Sequence, residues 1–279
     1  MRKMPLIQTF SGASGRGYGM LNKNTITPPP TSPTSGYSLW LDADDASTFT
    51  FSSGSVVSQW RDKSANAYAF NQSTVANQPT RTGTQNSKST LVFDGANDAL
   101  VSSAVASTWK FLHSATGATI FCVAKETGTT ANQVGRVLST VNYGVTTDVG
   151  ISVAFESGST GATSNITSNF VDGTNGVTSY NYNSAALASH AVVTTVFDPA
   201  NATANQRILI YINSGNPDFT SGTATSSTAN PTTTLWIGND AVGYKIFKGE
   251  IAEILIYPSV LSATNRNLNI TYLKNKWNI

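Results

Sequence analysis

The chain reads as an all-β protein built from antiparallel sheets, and two observations carry that reading. Short apolar runs recur from residue 38 to residue 257, separated by stretches rich in Gly, Ser, Thr, Asn and Asp. Those residue types tolerate left-handed backbone or hydrogen-bond to it locally, so they favour turns. No stretch of helical periodicity stands between the runs, so the crossovers that a parallel sheet requires are missing. At 39% hydrophobic and 11% charged over 279 residues, the composition fits a globular body and excludes disorder throughout.

The first strand is predicted at Ser38-Leu39-Trp40-Leu41, the second at residues 56–60 and the third at residues 90–93. Residues 119–124 and 191–197 are apolar at successive positions, as expected of strands covered on both sides. Residues 207–212 and 234–237 look similar, and residues 251–257 form the last predicted strand. Residues 220–234 read as a long surface loop. One helix is predicted at the C-terminal end. Ser262 is its N-cap, and Leu268, Ile270, Leu273 and Trp277 recur at roughly helical spacing.

The leader differs from the rest. Arg2, Lys3, Arg16 and Lys23 are cationic, and no carboxylate precedes Asp42. Glycines interrupt the segment and Pro28, Pro29, Pro30 and Pro33 close it. Such a stretch has too little apolar surface to build a core, and the prolines stiffen into an extended spacer. Residues 1–35 therefore read as an N-terminal arm and linker, and residues 36–279 as the folded domain. A cationic arm is suited to docking on an acidic protein surface; a solubilising tail is the alternative. Arg16 with Tyr18 has the chemistry to stack on nucleic acid, but four cations without an extended basic patch, and a net charge of +2, argue against that partner. No apolar stretch reaches membrane-spanning length, so no membrane insertion is expected, and no secretory signal is apparent. Cys122 is the sole cysteine, so no intrachain disulfide can form.

Three blocks resemble a known family. They are residues 39–45 (LWLDADD) with 57–64 (VSQWRDKS), then residues 91–98 (LVFDGAND), then Ile237-Gly238-Asn239 with residues 247–257 (FKGEIAEILIY) leading into the helix. Together they are similar to the laminin-G-like branch of the concanavalin A-like lectin/glucanase superfamily, over roughly residues 36–279. That resemblance implies a jelly-roll sandwich of two antiparallel sheets. Such domains occur in bacteriophage structural proteins, cell-surface proteins and glycan-binding proteins. The arm resembles the N-terminal segment of some phage virion proteins.

The expected function is accordingly a non-enzymatic bacteriophage virion structural protein, a capsid decoration or a neck or tail appendage, lying on the virion surface in several copies. Arg2, Lys3, Phe10, Arg16, Tyr18, Met20 and Leu21 would anchor it to other virion proteins. The lectin-like domain would meet host-surface glycans. The alternatives are a soluble carbohydrate-binding lectin and a glycoside hydrolase. Hydrolases of the superfamily carry a pattern like E-x-D-x-x-E, which Glu250-Ile251-Ala252-Glu253 only approaches. Residues three apart on a regular strand point to opposite faces unless a bulge intervenes. His113 and His190 sit in no recognisable catalytic motif.

Trp109, Tyr143, Tyr180 and Tyr182 are the candidate glycan-binding residues, with Trp109 taken as exposed and the other tryptophans mostly as core. Asp42, Asp44 and Asp45 form an acidic cluster suited to calcium, as do Asp94, Asn97 and Asp98, since calcium takes several oxygen ligands. The competing reading is that these residues cap turns.

Overall fold

A computed structural model describes residues 28–128, 134–142, 147–157, 164–174, 178–183, 188–221 and 224–279. The strands in chain order begin with β1 (Leu39–Asp42), β2 (Phe49–Ser53), β3 (Val56–Arg61), β4 (Ala69–Asn71), β5 (Thr80–Gln85) and β6 (Lys88–Asp94). Next come β7 (Leu100–Ser102), β8 (Ala118–Glu126), β9 (Val134–Ser139), β10 (Val149–Ser157), β11 (Ser164–Asp172) and β12 (Thr178–Asn183). β13 (Ala191–Phe197), β14 (Ile208–Ile212), β15 (Phe219–Ser221), β16 (Trp236–Ile237) and β17 (Lys248–Tyr257) lead to helix α1 (Ala263–Trp277).

The fold is all-β and antiparallel, with one C-terminal helix, as predicted. Two ladders of strands carry it. The first runs β15-β14-β13-β8-β17. The far edge of β17 is shared, with β6 along Lys248–Ile251 and β1 along Glu253–Ile256. The second ladder runs β2-β3-β4-β7-β16-β9-β10-β11-β12. The ladders connect through β5, which pairs with β6 and touches β3 at Val56–Thr80.

One apolar core lies between the ladders. Leu41, Ile120, Val193 and Ile254 enter it from the first, and Trp60, Phe70, Leu138 and Phe155 from the second. The other face of the first ladder is also buried. Phe121, Val123, Val192, Leu255 and Tyr257 pack under α1 against Ile270, Leu273 and Trp277. That second layer explains why β8, β13 and β17 are apolar at successive positions. Cys122 is fully buried on the inner face, and burial pushes its thiol pKa upward.

Ser262 caps α1 by accepting the Asn265 N–H at 3.3 Å. Asn278 ends it in left-handed backbone with φ 52°, and Lys274 and Lys276 in the last turn complement the helix dipole. The predicted stripe is off at one position. Leu268 is exposed, whereas Asn269 and Tyr272 are buried. Asn269 holds the end of the linker: its Oδ1 accepts the Thr34 N–H at 2.8 Å, and its Nδ2 donates to Thr34 Oγ1 at 3.0 Å. Tyr257 donates its hydroxyl to the Thr34 carbonyl at 2.7 Å. The chain is thus fastened to the domain just before β1.

Candidate functional site

The predicted site residues do not converge. Trp109 is 0% exposed. It lies in a 3-10 helix, residues 106–113, that turns its ring onto Tyr68, Phe70 and Phe111, and its Nε1 donates to Thr234 Oγ1 at 3.1 Å. The expectation of an exposed Trp109 is therefore corrected: it is a core residue with its one polar atom satisfied. Tyr180 and Tyr182 stand on β12 opposite Ser168 and Ile166, with side chains outside the described residues. Tyr143 and the arm residues Arg2, Lys3, Phe10, Arg16, Tyr18, Met20 and Leu21 also lie outside the described residues.

The acidic cluster after β1 is an ion-pair network. Lys63 lies 3.0 Å from Asp42 and 2.8 Å from Asp45, Lys276 lies 2.7 Å from Asp42, and Lys88 lies 3.0 Å from Asp44. The hydrogen bonds of Asp45 to Lys63 and Ser47 hold its carboxyl down at about 2. Asp45 also caps the 3-10 turn at Ala46–Thr48. Each of Asp42, Asp44 and Asp45 is thus paired with a lysine ammonium group, and the capping role weighed for them is seen at Asp45. Asp94, Asn97 and Asp98 build a turn: Asp94 Oδ1 accepts the N–H of Ala96 at 2.7 Å, and Asp98 Oδ2 accepts the N–H of Asp94 at 2.8 Å. Among the described residues, no cluster of three His, Cys, Asp or Glu side chains could hold a metal ion.

The Glu250–Glu253 segment also departs from expectation. The pairing of β17 with β8 slips between Ile251 and Glu253. This bulge inserts Ala252 as an extra residue, so Glu250 and Glu253 share the outer face. Glu253 is fully buried beneath α1. It accepts hydrogen bonds from Trp40 Nε1 at 2.7 Å, Tyr272 Oη at 2.8 Å and Trp277 Nε1 at 2.7 Å, and Lys276 lies at 2.8 Å. Burial, joined by the Asp42 charge, raises its pKa against the opposing pull of Lys276 and Trp277. Glu250 pairs with Lys125 at 2.8 Å and accepts from Thr90 Oγ1 at 2.6 Å. Glu253 pins the helix to the sheet, and Glu250 ties β17 to β6 and β8.

A different surface gathers ligand-binding chemistry. An open groove of about 680 Å³ lies where β4, β7 and β16 meet the loop after β16. Half-buried Trp236 lines it, together with Asn71, Gln72, Asn77, Asn97 and Asn239. Several of these amides are already fixed, Asn71 and Asn239 on one side and Gln72 on both, its Oε1 accepting the Thr74 N–H at 3.0 Å. Asn71 Oδ1 accepts from Gln59 Nε2 at 2.8 Å, Gln72 Nε2 donates to the Ala99 carbonyl at 3.2 Å, and Asn239 Oδ1 accepts the Asp240 N–H at 2.8 Å. The side chains of Asn77, Asn97 and Trp236 form no hydrogen bond among the described residues.

The loop that walls the groove is held from below. Gly238 has φ +82°, and a Cβ there would meet Phe93 Cε1 at 2.1 Å. Asp240 is fully buried, 3.4 Å from the buried Arg136 guanidinium, and its Oδ1 accepts the Tyr244 N–H at 2.9 Å. Arg136 Nη1 also donates to the carbonyls of Val141 and Asn142 at 3.2 and 2.7 Å. Buried charge pairs of this kind fix geometry, because removing one partner strands the other. Across the groove, burial, with the Asp94 charge adding, pushes Asp98 up to about 6.

No family model matches the chain, and no curated protein matches it in sequence. Solved structures do resemble it in fold. A Trypanosoma rangeli sialidase in complex with sialic acid shares 15% identity at a TM-score of 0.58, covering 88% of this chain and 34% of the sialidase. A mutant of that sialidase displaying trans-sialidase activity gives 14% identity and a TM-score of 0.57, over 88% of this chain and 34% of the mutant. The botulinum neurotoxin type G receptor binding domain gives 12% and 0.52, over 86% of this chain and 52% of that one. The chain thus spans about a third of the sialidases' length. These likenesses are of fold, and they correct the expectation of a non-enzymatic protein: the architecture is shared with parts of enzymes, so it gives no ground for excluding catalysis.

Proposed function

We propose that this protein is a glycan-binding module, a lectin-like domain of the concanavalin A-like jelly-roll type, and that the Trp236 groove is its binding surface. The observation that carries the proposal is the pairing of one half-buried indole with a ring of side-chain amides. An indole face covers the apolar face of a sugar ring, while amides answer its hydroxyls as both donors and acceptors. Amides already fixed on one side lose little freedom on binding, which favours affinity. The likeness in fold to a sialidase bound to sialic acid and to a receptor-binding domain supports the same reading.

Under this proposal residues 1–35 form an attachment arm and linker, with residues 1–27 docking on a larger particle and the linker held to the domain at Thr34. The virion surface of a bacteriophage is the setting implied by the sequence resemblance. Several weak sites displayed together would add avidity.

A glycan array with the full chain and its Trp236→Ala variant tests the groove. Binding that the substitution abolishes supports the reading; equal binding by both proteins contradicts it. Hydrolysis assays on the bound glycans establish whether turnover follows binding. Deleting residues 1–27 and measuring incorporation into particles tests the arm, and undiminished incorporation would rule it out as the anchor.

A further inference from the structure

We infer that the groove selects uncharged glycans, a specificity that rests on the glycan-binding reading above. The argument is one of charge. Among the described residues, no Lys, Arg or His lines the groove; its polar lining is amide and hydroxyl apart from the buried Asp240. Residues 129–133, 143–146, 158–163, 175–177, 184–187 and 222–223 contain no Lys, Arg or His either. Those stretches therefore add no cation to the groove, and Lys245, two residues beyond Gly243, stands over the Tyr244 ring.

The carboxylates nearby have cations beside them: Asp240 pairs with Arg136, and Asp94 stands opposite Lys248 across the β6–β17 ladder. Asp240 lines the groove, with Arg136 held against it inside the protein. Asp94 is exposed in the turn that presents Asn97. A ligand carboxylate or sulfate would leave water without meeting a cation, and burying an anion unpaired is strongly unfavourable. Guanidinium forks are the side chains suited to planar anions, and the one at this site, Arg136, is 2% exposed in its side chain. The groove thus shares a fold with the sialidase seen bound to sialic acid but lacks the chemistry an acidic sugar needs.

The test is calorimetric titration of the full chain with two sets of oligosaccharides. The neutral set comprises lactose and trisaccharides of glucose, mannose and N-acetylglucosamine. The anionic set comprises α2,3-sialyllactose, trigalacturonate and a sulfated disaccharide. At least one neutral sugar is expected to bind, with Trp236→Ala weakening it tenfold or more. Any sialylated or sulfated counterpart is expected to bind at least tenfold more weakly. An anionic sugar that binds most tightly and depends on Trp236 overturns the charge selectivity and leaves the groove as the glycan site. Failure of every sugar to bind, or binding indifferent to Trp236, overturns both.

Discussion

Glu253→Ala tests whether one buried carboxylate fastens α1 to the sheet. In the native protein Glu253 answers two indole N–H groups and one phenol, with Lys276 at 2.8 Å. Alanine removes all four interactions. Lys276 retains Asp42 at 2.7 Å, so three neutral donors, those of Tyr272 and Trp277 buried and that of Trp40 half-buried, are left without an acceptor. At about 1 kcal/mol or more for each stranded donor, the loss is about 3–5 kcal/mol, the range for breaking one side of a buried pair. Glu253→Gln keeps one acceptor oxygen but turns an NH₂ toward donors, so about half that loss is expected. Urea denaturation followed by near-ultraviolet circular dichroism reads both the midpoint and the packing of Trp40 and Trp277. An alanine variant within about 1 kcal/mol of the parent would refute the anchoring role, since ordinary substitutions fall in that range.

Further predictions concern pH, backbone and the linker. Asp98, raised from 3.8 to about 6, contributes stability that is complete below 3.8 and disappears as pH rises through 6. His190, lowered by burial from 6.5 to about 4, contributes stability present above 6.5 and lost as pH falls toward 4. Discounted for solvent screening, each amounts to about 1–2 kcal/mol by linkage, and the two oppose one another. Asp98→Asn is therefore expected to gain stability over the parent at pH 7 and none at pH 4, and His190→Gln to gain at pH 4; denaturation midpoints that vary in parallel with the parent would refute this. Gly238→Ala combines left-handed backbone with a clash on Phe93, so a loss of about 2–5 kcal/mol is expected in thermal unfolding. Asn269→Ala frees Thr34, and hydrogen exchange of the Thr34 amide is expected to quicken about tenfold for each 1.4 kcal/mol of protection lost.

Much of the fold was legible where strands are covered on both faces. β8, β13 and β17 are unbroken apolar runs because the core lies on one side and α1 on the other. The strands that escaped notice carry polar residues into the interior. In β11, Ser168 and Asn169 are buried and bond to Thr195 and Ser152, so the alternation marking a strand is hidden by hydroxyls and amides. β4 and β7 are three residues long, too short to show a period. The bulge at Ala252 follows from pairing with β8, which one strand's sequence cannot reveal.

The binding groove was missed for a similar reason. Leu235-Trp236-Ile237 looks uniformly apolar, yet strand alternation sends 235 and 237 into the core and leaves 236 half-buried at the groove. The alternation was the available signal. The amides beside Trp236 come from β4, the turn after β6 and the loop after β16, which are far apart in sequence. Trp109 misled in the opposite direction, because its polar neighbours Ser107, Thr108 and Lys110 suggested exposure while the 3-10 turn carried the ring inward.

The most direct measurement is the set of indole N–H resonances from Trp40, Trp60, Trp109, Trp236 and Trp277 during titration with a bound neutral oligosaccharide. The groove account predicts that the Trp236 resonance shifts to saturation while the four buried or anchored indoles stay in place. A saturable shift at any other indole, with Trp236 unmoved, would contradict it.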